Sequence, residues 1–100
     1  MNNRTNTVGR HATTIRVQND TTTITYHDTS VVAFDADTIT LNTGGWNTVT
    51  TKRRMNQTSA QFKLGYQVYA RRWQWYVDYA GQTYPFTNRS LTIQRLTQPT

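Results

Sequence analysis

Apolar and polar residues alternate along most of the chain, and the rhythm breaks once. Ile15 and Val17 alternate with Thr14, Arg16 and Gln18, the period of a half-buried strand. Asn19-Asp20 then signals a turn. Ile24 and Tyr26 alternate with Thr23, Thr25 and His27, and Val31–Phe34 is a short apolar run. Asp35-Ala36-Asp37 predicts a second turn. Thr38–Thr43 resumes alternation through Ile39 and Leu41, and Gly44-Gly45 ends that strand.

From Thr50 to Leu64 no alternation survives. On a helical wheel Thr51, Met55, Thr58, Ser59 and Phe62 share one face, so a helix is expected within about residues 50–64. Thr50 or Thr51 is the expected N-cap, because a hydroxyl there accepts a bond from a free first-turn amide. Gly65 is the expected C′ residue. The apolar face carries only Met55 and Phe62 as large residues, so this helix needs a sheet to lie on. Alternation then returns. Tyr66, Val68 and Ala70 oppose Gln67, Tyr69 and Arg71; Trp75, Val77 and Tyr79 oppose Gln74, Tyr76 and Asp78. A short connection near Arg72–Trp73 reads as a hairpin. Ala80-Gly81-Gln82 is a turn and Thr83–Phe86 a strand, with Pro85 marking an edge or an end. Leu91 and Ile93 mark a last short strand.

The expected fold is α+β: a mostly antiparallel sheet with a single helix packed on one face, in the order β-β-β-α-β-β-β. Residues 1–10 are expected to be a flexible tail and residues 11–97 a single domain. The in-phase residues Ile24, Ile39, Leu41, Met55, Phe62, Val68, Trp75, Val77 and Phe86 are the expected core.

Composition supports this. The chain has 100 residues, 35% hydrophobic and 16% charged, with 21 Thr, 8 Asn and 8 Gln, so its polarity is mostly neutral. The 12% aromatic content and the many β-branched residues favour strands over disorder. Without cysteine, disulfides, thiolate metal sites and cysteine nucleophiles are excluded. No apolar run is long enough to cross a membrane as a helix, and no secretory signal is expected. The net charge is +6, and the basic residues crowd into the second half. Residues 52–100 hold Lys52, Arg53, Arg54, Lys63, Arg71, Arg72, Arg89 and Arg95 against Asp78 alone. Such a half suits an anionic partner, and arginine favours forked phosphate contacts and stacking.

Two stretches could bind such a partner. In the first, Gly44, Gly45, Thr48, Thr50, Thr51, Lys52, Arg53 and Arg54 combine a helix start with hydroxyls and three cations. Free amides at a helix start attract anions. Cations there oppose the helix dipole unless an anion is bound. The glycine spacing is not that of a P-loop. In the second, Arg71-Arg72-Trp73-Gln74-Trp75-Tyr76 interleaves arginine with aromatics, as single-strand nucleic-acid binders do. Alternation places Trp75 in the core and leaves Arg71, Arg72, Trp73 and Tyr76 for a partner, with Trp46 as a further stacking residue. His27, Asp28, Asp35 and Asp37 could be imagined around a metal. They lie in turn contexts without metal-ligand spacing, so no metal, no cofactor and no catalytic residue is expected.

The segment Gly44–Gln57, GGWNTVTTKRRMNQ, resembles a signature of small proteins encoded by tailed bacteriophages. Tyr66–Phe86, YQVYARRWQWYVDYAGQTYPF, and the stretch from His27 to Leu41 are similar to the same group. The resemblance implies a phage source and work in the cytoplasm of an infected bacterium. It carries over no catalytic residue. Three functions follow as expectations. The first is a non-enzymatic module binding a phosphate-bearing ligand, foremost nucleic acid. The second is an anti-defence protein sequestering a small nucleotide immune signal of the host. The third is a module that binds a host protein or assembles in the virion, since Tyr, Trp and Arg also make interface hot spots. An exposed edge strand makes a homodimer conceivable.

Overall fold

The structure, a computed structural model, describes residues 13–45 and 48–96. The expected tail and Trp46 lie outside the described residues. Among these the chain forms four strands, one helix and four more strands: β1 (Thr13–Gln18), β2 (Thr21–Tyr26), β3 (Thr29–Phe34), β4 (Thr38–Asn42), α1 (Val49–Phe62), β5 (Tyr66–Arg71), β6 (Gln74–Tyr79), β7 (Gln82–Pro85) and β8 (Ser90–Gln94). The α+β class, the antiparallel pairing and the helix match expectation. The count is four strands on each side of the helix against the expected three: the Val31–Phe34 run is a full strand, while the last short strand expected around Leu91 and Ile93 is present as β8.

The strands also divide into two sheets, in the orders β1-β2-β3-β4-β8 and β5-β6-β7. The large sheet is a meander closed by β8, which pairs with β4 so that Leu41 faces Leu91 and Ile39 faces Ile93. The small sheet is a second meander in which Val68 faces Val77 and Val77 faces Tyr84. Its edge strand β7 ends at Pro85, which has no amide to donate to a ladder. Ile24, Ile39, Leu41 and Ile93 of the large sheet, Met55 of the helix, Val68, Trp75 and Val77 of the small sheet, and Phe86 just after it form one buried core. Phe62 lies at its margin, only half-buried, with its ring 5.1 Å from that of Phe34. On the solvent side of the large sheet threonine stands cross-strand from threonine, and the hydroxyls of Thr40 and Thr92 lie 3.2 Å apart. Threonine suits such a face: its branched Cβ fits the pleat and its hydroxyl meets water.

The helix caps differ from the expected ones. Thr48 is the N-cap, and its Oγ1 accepts a bond from the Thr51 amide at 3.1 Å. A cap must be extended, as Thr48 is, whereas Thr50 and Thr51 already have helical backbone. At the far end the left-handed residue is Lys63, with φ 56°, and the Leu64 amide reaches back to the Ser59 carbonyl at 2.9 Å. Gly65 follows as the lead into β5.

Helix α1 runs along the outer edge of β5. The Ser59 hydroxyl donates to the Tyr66 carbonyl at 2.7 Å and accepts from the Tyr66 amide at 3.0 Å. One turn earlier Asn56 bonds both backbone groups of Val68. Tyr66, buried between helix and sheet, donates its hydroxyl to the Met55 carbonyl. Side chains of the helix thus take the place of a further strand, and the edge of β5 is closed along these residues.

Candidate nucleic-acid interface

The structure does not bring the cations of the helix-start stretch together on one surface. Consecutive helical residues are about 100° apart, so Lys52, Arg53 and Arg54 fan around the helix. Lys52 is half-buried, with its ammonium 5.7 Å from the centre of the Trp75 ring. Arg53 is exposed. Arg54 turns into the protein: its Nε donates to Thr13 Oγ1 at 3.0 Å, its Nη1 donates to Gln57 at 3.2 Å, and its guanidinium lies over the Tyr26 ring. At 9% exposure it ties the helix to β1 and β2. The expectation that Arg54 faces a ligand is therefore corrected: it is a packing residue, placed by the same helical rotation that exposes Arg53. Nor do three cations crowd the first turn, since the helix begins at Val49.

The loop before the helix uses many of its own donors. The Gly44 amide donates to Asn42 Oδ1 at 2.9 Å, and the Gly45 amide to Thr43 Oγ1 at 3.1 Å. Thr48 and Thr51 bond each other, and the Lys52 amide returns to the Thr48 carbonyl. Gly44 lies so close to Thr29 that a Cβ there would sit 2.7 Å from its Oγ1. The Arg89 guanidinium lies against Gly45, a neighbour that separation in sequence hid. Between the β2–β3 turn and the helix start lies a cleft of about 590 Å³, lined by Tyr26, His27, Thr48, Thr50 and Thr51 among others.

Asp35 is engaged locally. Asp35 Oδ1 accepts from the amides of Asp37 and Thr38, both at 2.8 Å. Those two backbone bonds hold its carboxyl below the usual carboxylate range. Among the described residues no group of three possible ligands could hold a metal ion.

The hairpin is different. Arg71 and Gln74 close the β5–β6 ladder, leaving Arg72 and Trp73 as a two-residue turn. Both have positive φ, 53° and 72°. That is the backbone of a type I′ turn, which normally takes Asn-Gly. The comparable turns at Asn19-Asp20 and Ala80-Gly81 place Asn, Asp and Gly at three of their four positive-φ positions, with Ala80 the exception. A left-handed backbone costs about 1–2 kcal/mol per ordinary residue. The turn thus carries strain, and at its tip Trp73 is 95% exposed. Arg71 and Arg72 flank it in solvent. Trp75 is buried, edge-on to Phe86 at 6.0 Å, as alternation required. Tyr76 lies on the opposite face, stacked on Tyr69 with ring centres 5.8 Å apart. Tyr69 was not among the expected site residues. Its signal was present in the alternation, which puts Tyr69 and Arg71 on one face, but pairing it with Tyr76 needs the hairpin register.

No helix of the described residues is long and apolar enough to cross a membrane. No curated protein and no solved structure matches the chain. A family model described as Kyanoviridae Gp96 protein matches residues 1–94, and the chain belongs to that family of proteins of tailed cyanophages.

Proposed function

We propose that this phage protein is a non-enzymatic nucleic-acid-binding module of the infected host's cytoplasm, and that it binds through the Arg71-Arg72-Trp73 turn, with Lys52 and the exposed Arg53 of the helix as further cations. The observation that carries this reading is the strained turn with its exposed tryptophan. A solvent-facing indole at a left-handed position contributes nothing to the core and costs stability. Strain of this kind clusters at functional sites. Two arginines beside it supply phosphate contacts, and its ring supplies a stacking surface.

The test replaces the turn by the residues its backbone prefers. The double variant Arg72→Asn/Trp73→Gly relieves the strain, so it is expected to melt higher than the wild type. It is also expected to lose affinity for a fluorescein-labelled oligonucleotide in an anisotropy titration. Unchanged affinity would overturn the reading.

A second reading has its own support in the cleft beside the helix start, whose volume falls in the range of small-molecule sites. There the chain would sequester a small nucleotide, with Tyr26 and His27 against the base and Thr50 on the phosphate side. Calorimetric titration with mono- and dinucleotides separates the two readings, because the turn variant would leave this site intact.

A further inference from the structure

The outer face of the small sheet is uncovered among the described residues. The register puts three cross-strand pairs on it: Arg71 with Gln74, Tyr69 with Tyr76, and Gln67 with Asp78. Their neighbours Tyr66, Val68, Trp75, Val77 and Tyr79 are all buried on the other side. Arg71, Gln74, Gln67 and Asp78 are exposed, and the two tyrosines are covered only in part.

This face has a direction. Its cations, Arg71 and the adjoining Arg72, stand at the hairpin end beside Trp73. Its one carboxylate, Asp78, stands at the far end and is engaged: Oδ1 accepts from the Tyr69 hydroxyl at 3.1 Å and from Thr83 Oγ1 at 2.7 Å. Those bonds pin the Tyr69 ring. Successive pairs on one face are about 7 Å apart along the strand, so Trp73, the Arg71 row and the tyrosine row form a stepped series of stacking and cationic groups.

Resting on the proposed nucleic-acid binding, we infer that the occupant is a single strand, laid from the Trp73 tip across Arg71 onto the Tyr69–Tyr76 pair. Exposed aromatic faces can stack only on bases that are not already stacked in a duplex. Four cations at most, Arg71 and Arg72 with Lys52 and Arg53 of the helix, are also few for duplex binders, which neutralise many phosphates. They suffice for a short strand whose affinity comes largely from stacking. The amides of Gln67 and Gln74 flank the rings, where base edges would lie.

The test compares a labelled oligothymidylate with a mixed-sequence duplex of equal length. Single-strand affinity is expected to exceed duplex affinity at least about tenfold, with a log–log salt slope between about −1.4, the value for Arg71 and Arg72 alone, and about −2.8, the value when Lys52 and Arg53 add theirs. Tyr69→Ala and Tyr76→Ala should each weaken binding about 5- to 150-fold, the range for losing one stacked base. Tyr69→Phe keeps the ring but releases it from Asp78, and should weaken binding far less than Tyr69→Ala does. Ultraviolet cross-linking of wild-type protein to the oligothymidylate should place adducts on Tyr69 or Tyr76, which decides the matter even where an alanine variant fails to fold. Equal or tighter duplex binding, or adducts confined to Trp73, would overturn the inference while nucleic-acid binding at the turn stood. No binding to either oligonucleotide would overturn both.

Discussion

One side chain, Asn56, bonds both backbone groups of Val68: Nδ2 donates to the Val68 carbonyl at 2.8 Å, and Oδ1 accepts from its amide at 2.7 Å. A carboxamide carries its donor and its acceptor on two neighbouring atoms, matching the pair that a strand edge presents, whereas the Ser59 hydroxyl meets the same pair at Tyr66 with a single atom. Asn56→Ala should therefore cost about 1–3 kcal/mol in urea denaturation, since it leaves both groups of Val68 without their partner. Asn56→Asp should do no better despite its near-identical shape, because its second oxygen would face the carbonyl. Hydrogen exchange at the Val68 amide should quicken in both variants.

Arg54 and Arg53 make a contrasting pair. Arg54→Lys keeps the charge but loses the fork that reaches Thr13 and Gln57 together, so the melting temperature should fall. Its affinity for an oligonucleotide should not change. Arg53→Ala should leave the melting temperature unmoved, and under the proposed function it should weaken oligonucleotide binding. The opposite assignment of the two effects would refute the division between packing and ligand-facing cations.

Two glycines with positive φ separate strain from collision. Gly65 has φ 84°, and a methyl placed on its Cα would meet nothing within 4 Å, so Gly65→Ala should cost about 1–2 kcal/mol from backbone conformation alone. Gly44, with φ 64°, adds the collision with Thr29. Gly44→Ala should cost clearly more, and the additional variant Thr29→Ser, which removes the methyl, should recover part of the difference. Thermal denaturation of the three variants checks the order.

The stability profile should be bounded by two groups. The Asp35 carboxyl is held low by the Asp37 and Thr38 amides, so its contribution is present above about pH 4 and is lost as pH falls through its lowered folded-state value. Burial pushes the Tyr66 hydroxyl up, so the folded state keeps this proton after the unfolded chain has released it. Stability therefore declines as pH rises above about 10. Asp35→Asn should flatten the acid limb. Tyr66→Phe should flatten the alkaline limb and lower the plateau by about 1 kcal/mol through loss of the bond to Met55. Chemical denaturation across pH measures both limbs.

Local periodicity was enough to place α1 between Gly45 and Gly65 and to sort Trp75 inward from Trp73 and Tyr76 outward. Side-chain direction repeats every two residues in a strand and every 3.6 in a helix, so it is written into neighbouring residues. Turn residues likewise marked most strand ends. Pairing is not local. Nothing near Leu41 states that it will face Leu91, or that β5 will end its sheet and meet Asn56 and Ser59 in place of another strand. The split into two sheets arises from those choices. The candidate site shows the same boundary. The basic, aromatic character of Arg71–Tyr76 was legible in the chain. The removal of Arg54 into a contact with Thr13 and the pairing of Tyr69 with Tyr76 were decided by tertiary structure. Which cations stay in solvent depends on what packs around a helix, and which aromatics meet depends on strand register.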